Sequence, residues 1–481
     1  MPVTILHISD LHRDAGSHIG STALMESLRR DMARYVSEGE IPKPDIAVVS
    51  GDIVQGVGIG DANAVDILIN QYDEAYEFLE ELANTFFNGN RERIIIVPGN
   101  HDVSMSHVQL ASTIEDLPTT PAQLSLLSQQ LWQDGSLLRW EWNTFKLRRI
   151  IDTDNYNRRF EPFANFYAKF YQGNRTFSLN PKEQFAVHDY PEFGLVFAGL
   201  SSCYENDLYN RTGRINPDCV ATVTRKIAEY TRRGYLAVAV WHHSIQGGPK
   251  DADYVDADIL QSLMDGEISL AMHGHQHRPQ LVEHRFTADR KRGIVVLSAG
   301  TLCGGPRSLP SGRMRAYNLV VLDKANRHGV VHIRDMQNSD FNLPVWGPAH
   351  VAEFSGSSLE FSISAPVHTT TSFQDASEAD RLLRNGSVVD AYRLVQPHLN
   401  DPLARRVAAT ALGKLQDWNE ISSVFNPPTS SDEFVLLCEA LDELGKKNEL
   451  SSLLTSTFAL SSADPGVIQC ISMMRSRIGG R

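Results

Sequence analysis

The residues with the clearest chemical potential are five short clusters of Asp, Asn and His side chains, each following a short apolar run. In chain order they read Asp10-Leu-His12, Gly51-Asp52, Gly99-Asn100-His101-Asp102, His242-His243 and Gly274-His275-Gln276-His277. Carboxylate and amide oxygens together with imidazole nitrogens are ligands for Mn²⁺, Fe or Zn²⁺. One such cluster alone is explained as well by a turn or a buried histidine pair. Five clusters in equivalent places indicate one metal site.

The clusters lie where strands are predicted to end. Short β-branched runs bounded by Gly, Pro or polar turns predict strands at Val3–Ile8, Ile46–Ser50, Arg93–Val97, Leu236–Val240 and Ser269–Met272. Apolar residues at helical spacing predict helices over 22–35 and 64–85. Alternating strands and helices favour an α/β layer fold. In such folds one sheet edge collects side chains from distant parts of the chain.

The order and spacing of the five motifs resemble the calcineurin-like metallophosphoesterase family over roughly residues 1–340. The resemblance implies a four-layer αββα sandwich with two divalent metal ions at the strand ends. Protein Ser/Thr phosphatases of this kind carry GDxVDRG and GNHE, whereas this chain reads GDIVQGVG and GNHD. GNHD with GHQH is closer to the cyclic-nucleotide phosphodiesterase and repair-nuclease branches.

The resemblance also implies a ligand set. The first ion would be bound by Asp10, His12 and His277. The second would be bound by Asn100, His242 and His275, and Asp52 would bridge the two ions. Mn²⁺ is the first expectation for both ions, with Fe or Zn²⁺ left open by the mixed nitrogen and oxygen ligands.

Five further residues are candidates for catalysis or substrate binding. The resemblance makes His101 the general acid for the leaving oxygen. Asp102 either orients His101 or stabilises the turn. Arg13 either contacts phosphate or is an ordinary solvated arginine, and His243 contacts either substrate or a ligand residue. Arg214 is a weaker substrate candidate, with a turn before the next helix as the alternative.

The predicted function is hydrolysis of a nucleotide-type phosphodiester through attack by a hydroxide that the two ions share. A metal-dependent nuclease on DNA or RNA is one alternative, and a non-catalytic interaction module with a structural metal site is another. The net charge of -13, from 58 acidic and 45 basic residues, disfavours binding nucleic acid by charge alone. Basic runs at Lys146–Arg149 and 284–292 keep the nuclease alternative open.

The remaining features concern compartment and membrane. Five scattered cysteines without a CxxC pair indicate free thiols in a reducing compartment. The sequence starts without a secretory signal pattern and holds no apolar run of about eighteen residues, so we expect a cytoplasmic protein without a membrane span.

The domain organisation has three predicted parts. The metallophosphoesterase domain would cover 1–340, including an aromatic-rich helical insertion over about 103–190. A connector would follow at 341–375, with one short strand at Leu359–Ile363, and an all-α domain at 376–481. There, 411–424 matches 440–453 at an offset of 29 residues, which is typical of stacked helical repeats or arises by chance in an ordinary bundle. This domain is expected to bind a protein partner or to self-associate.

Overall fold

The computed structural model describes residues 2–17, 19–58, 60–61, 63–131, 133, 135–247, 253–285, 293–305, 309–310, 312–349, 356–364 and 371–479. The chain divides into two compact units, Met1–Val367 and His368–Arg481. Among the described helices, none combines the length and the apolar character that crossing a membrane requires.

The described strands all lie in the first unit. They are β1 Val3–Ile8, β2 Ile46–Ser50, β3 Ile94–Val97, β4 Ser112–Glu115, β5 Leu138–Glu141, β6 Lys146–Ile150, β7 Phe185–Tyr190, β8 Leu195–Leu200, β9 Leu236–Val240, β10 Leu270–His273, β11 Gln280–Arg285, β12 Gly293–Ser298, β13 Ala316–Asp323, β14 His328–Met336, β15 Trp346–Pro348 and β16 Ser358–Ser362. The helices of this unit are α1 Ser21–Ser37, α2 Ala64–Phe87, α3 Met105–Leu110, α4 Pro121–Leu131, α5 Thr153–Asn157, α6 Glu161–Phe170, α7 Pro217–Thr231 and α8 Ala257–Asp265.

Two mixed sheets form the centre of the first unit. One has the order β15-β14-β13-β1-β2-β3, with β16 also paired to β14. Its strands β1, β2 and β3 are parallel, and β13 runs antiparallel to β1. The other has the order β11-β12-β10-β9-β8-β7, in which β8, β9, β10 and β12 are parallel. The parallel strands are mostly apolar, as expected for strands with both faces buried, although β1 also contains Thr4 and His7.

Three apolar cores separate four layers. Side chains alternate along β1, so that Ile5 lies in the core between the two sheets while Leu6 packs beneath the helices. The outer core of the first sheet includes residues of α1, α2 and α6, and that of the second includes residues of α7 and α8. This arrangement confirms the predicted αββα sandwich.

The predicted helical insertion also contains strands, in the three-stranded antiparallel sheet β4-β6-β5. Its strands read STIE, LRWE and KLRRI, and their charged residues obscure a strand pattern in the sequence. Helix α6 does follow the expectation. Its aromatic face, including Phe163, Phe166 and Phe170, is buried in the core beneath α2.

The first unit extends beyond the predicted limit at residue 340. Strand β15 pairs with β14 at Met336↔Trp346, and β16 pairs with β14 at Val331↔Leu359. Both strands therefore belong to the first sheet, although they fall in the predicted connector 341–375. The rest of that connector lies partly outside the described residues.

The second unit is helical in all its described elements. These are α9 Thr371–Arg384, α10 Val388–Val395, α11 Pro402–Leu415, α12 Trp418–Val424, α13 Ser431–Glu443, α14 Lys447–Leu453, α15 Thr457–Ser461 and α16 Pro465–Gly479. Each of the two matching segments, 411–424 and 440–453, covers the end of one helix, a short turn and the next helix. Structural repetition stays a prediction.

Candidate metal centre and active site

The five motifs meet at the carboxyl ends of strands from both sheets. Asp10, Asp52 and Asn100 follow β1, β2 and β3, while His242 and His275 follow β9 and β10. Backbone hydrogen bonds join the loops in pairs: the Asp10 N–H donates to the Gly51 carbonyl and the Gly274 N–H to the His242 carbonyl, both at 3.0 Å. The loops therefore form one continuous rim.

Backbone strain concentrates on this rim. Five residues of the motifs have left-handed backbone, with φ values of 52° at Asp10, 45° at His12, 50° at Asp52, 73° at His275 and 52° at His277. Such conformations are uncommon for residues with a side chain and persist where surrounding structure enforces them, most often at functional sites.

One group of ligand atoms gathers around Asp10, His12 and His277. The His277 Nε2 atom lies 3.1 Å from Asp10 Oδ1 and 3.2 Å from His12 Nε2. His12 Nε2 is also 3.9 Å from Asp10 Oδ1. All three side chains are buried. These atoms can bind one cation.

A second group gathers around Asn100, His242 and His275. His242 Nε2 lies 3.1 Å and His275 Nδ1 3.0 Å from Asn100 Oδ1, and the two nitrogens are 3.3 Å apart. Asp52 stands between the groups, with Oδ1 at 3.3 Å from His242 Nε2 and Oδ2 at 4.0 Å from His12 Nε2. The geometry thus offers two adjacent cation sites that share one carboxylate.

The donor set fits divalent cations. Asp10 Oδ1 is buried and makes no well-formed hydrogen bond to any described residue, although an imidazole nitrogen lies within 3.1 Å. Burial opposes ionisation of Asp52, but His242 and His101 hold its pKa well below its usual range. Burial also acts to lower the pKa of His242, whereas Asp52 and Asp10 outweigh it and raise that pKa to about 9. The cluster therefore favours positive charge.

A comparison with known protein families decides what this arrangement is. The family model described as calcineurin-like phosphoesterase matches residues 3–279, more than half of the 481-residue chain. The chain belongs to the calcineurin-like phosphoesterase family. A search of curated proteins finds no match.

The phosphoesterase unit is also similar to solved structures of low sequence identity. A purple acid phosphatase from yellow lupin (Lupinus luteus) seeds aligns at 10% identity and TM-score 0.40, over 75% of this chain and 54% of that chain. A dimetal phosphatase from Danio rerio aligns at 13% identity and TM-score 0.35, over 69% and 96%. A single mutant of Vps29 from Entamoeba histolytica aligns at 9% identity and TM-score 0.27, over 75% and 99%. The chain thus spans about half the length of the lupin enzyme.

His101 lies beside Asp52, the carboxylate that stands between the two groups of candidate ligand atoms. Its Nδ1 is 2.5 Å from the Gln55 carbonyl, so this nitrogen carries the proton and the ring is held in place. Its Nε2 is then 3.9 Å from Asp52 Oδ2, and the side chain is 36% exposed. An anchored, accessible imidazole of this kind can exchange a proton with a bound ester.

The contacts of Asp102 stabilise the loops of the site and do not orient His101. Its buried carboxylate accepts hydrogen bonds from the backbone N–H groups of Gly99 at 2.7 Å and Ile53 at 3.1 Å, and from the Tyr72 hydroxyl at 3.4 Å. Burial and the neighbouring Asp52 charge raise the pKa of Asp102 to about 7. These contacts support the second sequence interpretation, a loop-stabilising carboxylate.

The two arginine candidates are engaged elsewhere. Arg13 is buried and donates to the Ile19 carbonyl at 2.9 Å and the Ser21 hydroxyl at 2.8 Å, which fastens the loop before α1. Arg214 pairs with Glu205 at 2.9 Å. These contacts support structural roles for both.

His243 lies behind the ligands and not at the surface of the site. It is buried, and its Nδ1 is 2.8 Å from the Ser202 hydroxyl. Its ring stands 4.8 Å from the ring of His275. Burial and the neighbouring histidines hold the pKa of His243 well below its usual range. It therefore packs against His275, one of the candidate ligands.

Three groups of the site carry no signal in the sequence motifs. The carbonyls of Gln55 and Ser50 fix the rings of His101 and His242, the latter at 2.8 Å, but any residue type supplies a carbonyl. Asp253 lies 3.1 Å from His275 Nε2 and belongs to a loop outside all five motifs. Only the folded arrangement identifies these groups.

Proposed function

We propose that this chain is a dinuclear metal-dependent phosphodiesterase that hydrolyses a nucleotide-type phosphodiester. Family membership gives the general class, a metal-dependent phosphoester hydrolase. The observation that carries the finer proposal is His101, whose anchored ring presents Nε2 beside the shared carboxylate. The alkoxide leaving group of a nucleotide diester departs poorly without a proton, and a general acid at this position supplies it.

The proposed ligand groups are Asp10, His12 and His277 for one ion, and Asn100, His242 and His275 for the other, with Asp52 shared. Bound divalent ions, for which we propose Mn²⁺ first and Fe or Zn²⁺ as alternatives, activate water and neutralise phosphoryl charge. The chain's own contribution is to fix these side chains on a strained rim and to hold the His101 ring next to them with Nε2 toward Asp52.

The charge balance of the site supports a diester. A phosphomonoester carries up to two negative charges, and arginine is a side chain that binds two of its oxygens at once. Both arginines that the sequence offered, Arg13 and Arg214, are engaged with other partners. A substrate with one negative charge on the phosphoryl group suits this site better.

An open recess supports a small substrate. It has a volume of about 380 Å³ and is lined by Gln246, Gly247, Asp253, His275 and Gln276. This volume lies in the range of about 300–1,000 Å³ that small-molecule sites occupy. Amide groups and the Asp253 carboxylate among these residues suit the hydroxyl or amino groups of a nucleoside.

The nuclease alternative receives little support from the basic runs. Arg148 pairs with Glu141 at 2.6 Å and Arg149 with Glu115 at 2.5 Å, so their charges are balanced within the insertion sheet. Most of the run 284–292 lies outside the described residues. A cytoplasmic location and a partner-binding or self-associating role for the second unit complete the proposal. Buried free thiols at all five cysteines support a reducing compartment.

The test compares substrates. The Mn²⁺-loaded full chain should have a higher kcat/KM for bis-p-nitrophenyl phosphate than for p-nitrophenyl phosphate, and should cleave cyclic nucleotides faster than single-stranded DNA or RNA. A preference for the monoester would contradict the diester proposal. Faster cleavage of a nucleic acid strand would support the nuclease instead. Metal binding without hydrolysis of any ester would support the interaction module.

A further inference from the structure

Asp253 lies on a loop that two backbone contacts hold against the site. The loop follows β9 and precedes α8, and the residue next to Asp253 forms a bridge with Ser244. The Val255 N–H donates to the Ser244 carbonyl at 2.7 Å. The Asp256 side chain then caps α8 by accepting from the Asp258 N–H at 3.1 Å. Asp253 is therefore presented from a fixed backbone, although its side chain is 42% exposed.

The Asp253 carboxylate contacts the far nitrogen of a proposed ligand. Asp253 Oδ2 is 3.1 Å from His275 Nε2, while the other ring nitrogen, Nδ1, is directed at the Asn100 oxygen 3.0 Å away. A carboxylate only accepts hydrogen bonds, so Nε2 must donate and Nδ1 must carry the lone pair. This is the tautomer that a ligand through Nδ1 requires.

Two different contacts set the backbone and the ring of His275. Its backbone N–H donates to Asp10 Oδ2 at 3.1 Å, which fixes the start of the side chain in its left-handed conformation. That contact leaves the ring free to rotate about the Cα–Cβ and Cβ–Cγ bonds. The Asp253 carboxylate is the described group that hydrogen-bonds to the ring from the side opposite the ligand cluster.

The two histidines of the second group are supported unequally. His242 donates from Nδ1 to the neutral, buried Ser50 carbonyl at 2.8 Å. His275 instead donates to a charged carboxylate at the edge of the open recess. A carboxylate behind an imidazole makes it a stronger metal ligand than a carbonyl does. His275, the more exposed of the two proposed ligands, thus has the stronger hydrogen-bond acceptor behind its ring.

We propose that Asp253 is a positioning residue that fixes the tautomer and ring orientation of His275 and so sets the affinity of the second cation site. The proposal rests on the ligand assignment of the proposed function. It extends that assignment to a loop that no sequence motif marks. Removal of such a partner of a ligating histidine typically lowers metal affinity by about 10–100-fold.

The experiment titrates the metal-stripped full chain with Mn²⁺ by isothermal calorimetry. The variants are Asp253→Ala, Asp253→Asn and the control Asp258→Asn, which removes a charge from the first turn of α8. We expect wild type and control to bind two ions alike. Asp253→Ala should bind one of the two about 10–100-fold more weakly. Asp253→Asn keeps an acceptor oxygen, so its Mn²⁺ affinity at that site should lie between those of wild type and Asp253→Ala.

A second readout separates positioning from a general structural role. The visible absorption of the Co²⁺-loaded protein reports ligand geometry, and it should change in Asp253→Ala, less in Asp253→Asn and not in the control. Wild-type affinity at both sites in Asp253→Ala would overturn this proposal alone. Wild-type protein that binds no divalent ion would overturn the metal-centre assignment as well. If Asp253→Ala does not fold, wild-type affinity in the isosteric Asp253→Asn would overturn the proposal.

Discussion

The close approach of Gly99 to Asp52 gives a sharp test of how the site is built. A Cβ atom at residue 99 would lie 2.2 Å from Asp52 Oδ1, 2.3 Å from the Asp52 backbone nitrogen and 2.9 Å from His242 Cγ. The Gly99 backbone, at φ -110° and ψ -175°, is accessible to any residue. The cost of Gly99→Ala therefore comes from these contacts and not from backbone conformation.

The loss of stability and activity in Gly99→Ala depends on how far the neighbouring loops must be displaced. Carbon and nitrogen atoms in ordinary contact are about 3.4 Å apart or more, so the loops bearing Asp52 and Gly99 must separate by roughly 1 Å. Overpacking of this kind costs about 1–3 kcal/mol of stability. We expect a cost near the upper end of this range, because one of the atoms that the new Cβ would approach too closely is the Asp52 backbone nitrogen. A displacement of about 1 Å in catalytic groups lowers the rate by about 10²-fold.

The assay measures kcat/KM for bis-p-nitrophenyl phosphate and the urea midpoint of unfolding. The matched control is Gly58→Ala, since a Cβ at residue 58 meets no described atom within 4 Å. We expect Gly58→Ala to behave like wild type. Gly99→Ala should lose stability by about 1–3 kcal/mol and activity by about 10²-fold. Wild-type activity in a Gly99→Ala protein would refute the proposed position of Asp52.

Three further predictions address separate parts of the chain. His101→Ala should keep both metal ions but slow the hydrolysis of esters with poor leaving groups by about 10²–10⁴-fold. The measurement is kcat across a series of leaving groups, and loss of the ions would contradict the role assigned to His101. Asp207→Ala should cost about 3–5 kcal/mol in denaturant unfolding, because the buried Arg139, 2.7 Å from that carboxylate, loses its charged partner and keeps neutral acceptors such as the Tyr156 hydroxyl. An unchanged midpoint would count against this ion pair. Burial acts to raise the pKa of Glu433, but Arg405 hydrogen bonds hold it below the ordinary 4.5. The stability that this carboxylate gives the second unit is therefore complete above pH 4.5 and is lost as the pH falls through the lower, folded-state pKa. Acid unfolding followed by circular dichroism should show a smaller loss of stability over that range in Glu433→Gln, and an equal loss would exclude Glu433 as the source.

The elements that carry the site were predictable because their sequences are locally unambiguous. β1, β2 and β9 begin and end at the predicted residues, since each is a β-branched run between turn-forming residues. Strand ends then placed the Asp, Asn and His motifs at one rim. The four-layer fold itself came from the family resemblance carried by those motifs.

The remaining features depend on pairing and packing that no local pattern contains. The insertion sheet has strands such as KLRRI, whose charges find partners only across the sheet. β15 and β16 join the first sheet through pairing with β14, in a stretch whose prolines indicate a linker. Asp253 and the Gln55 carbonyl reach the site because separate loops meet there.

The proposed hydrolysis depends on divalent metal ions that the Asp52 carboxylate would help to hold. The most direct measurement is hydrolysis of bis-p-nitrophenyl phosphate by metal-stripped protein, before and after Mn²⁺ is added back, beside an Asp52→Asn variant treated identically. We predict no activity without metal, recovery with Mn²⁺ in the wild type, and no recovery in Asp52→Asn. Equal activity in metal-free and metal-loaded protein, or full activity in folded Asp52→Asn, would contradict the account.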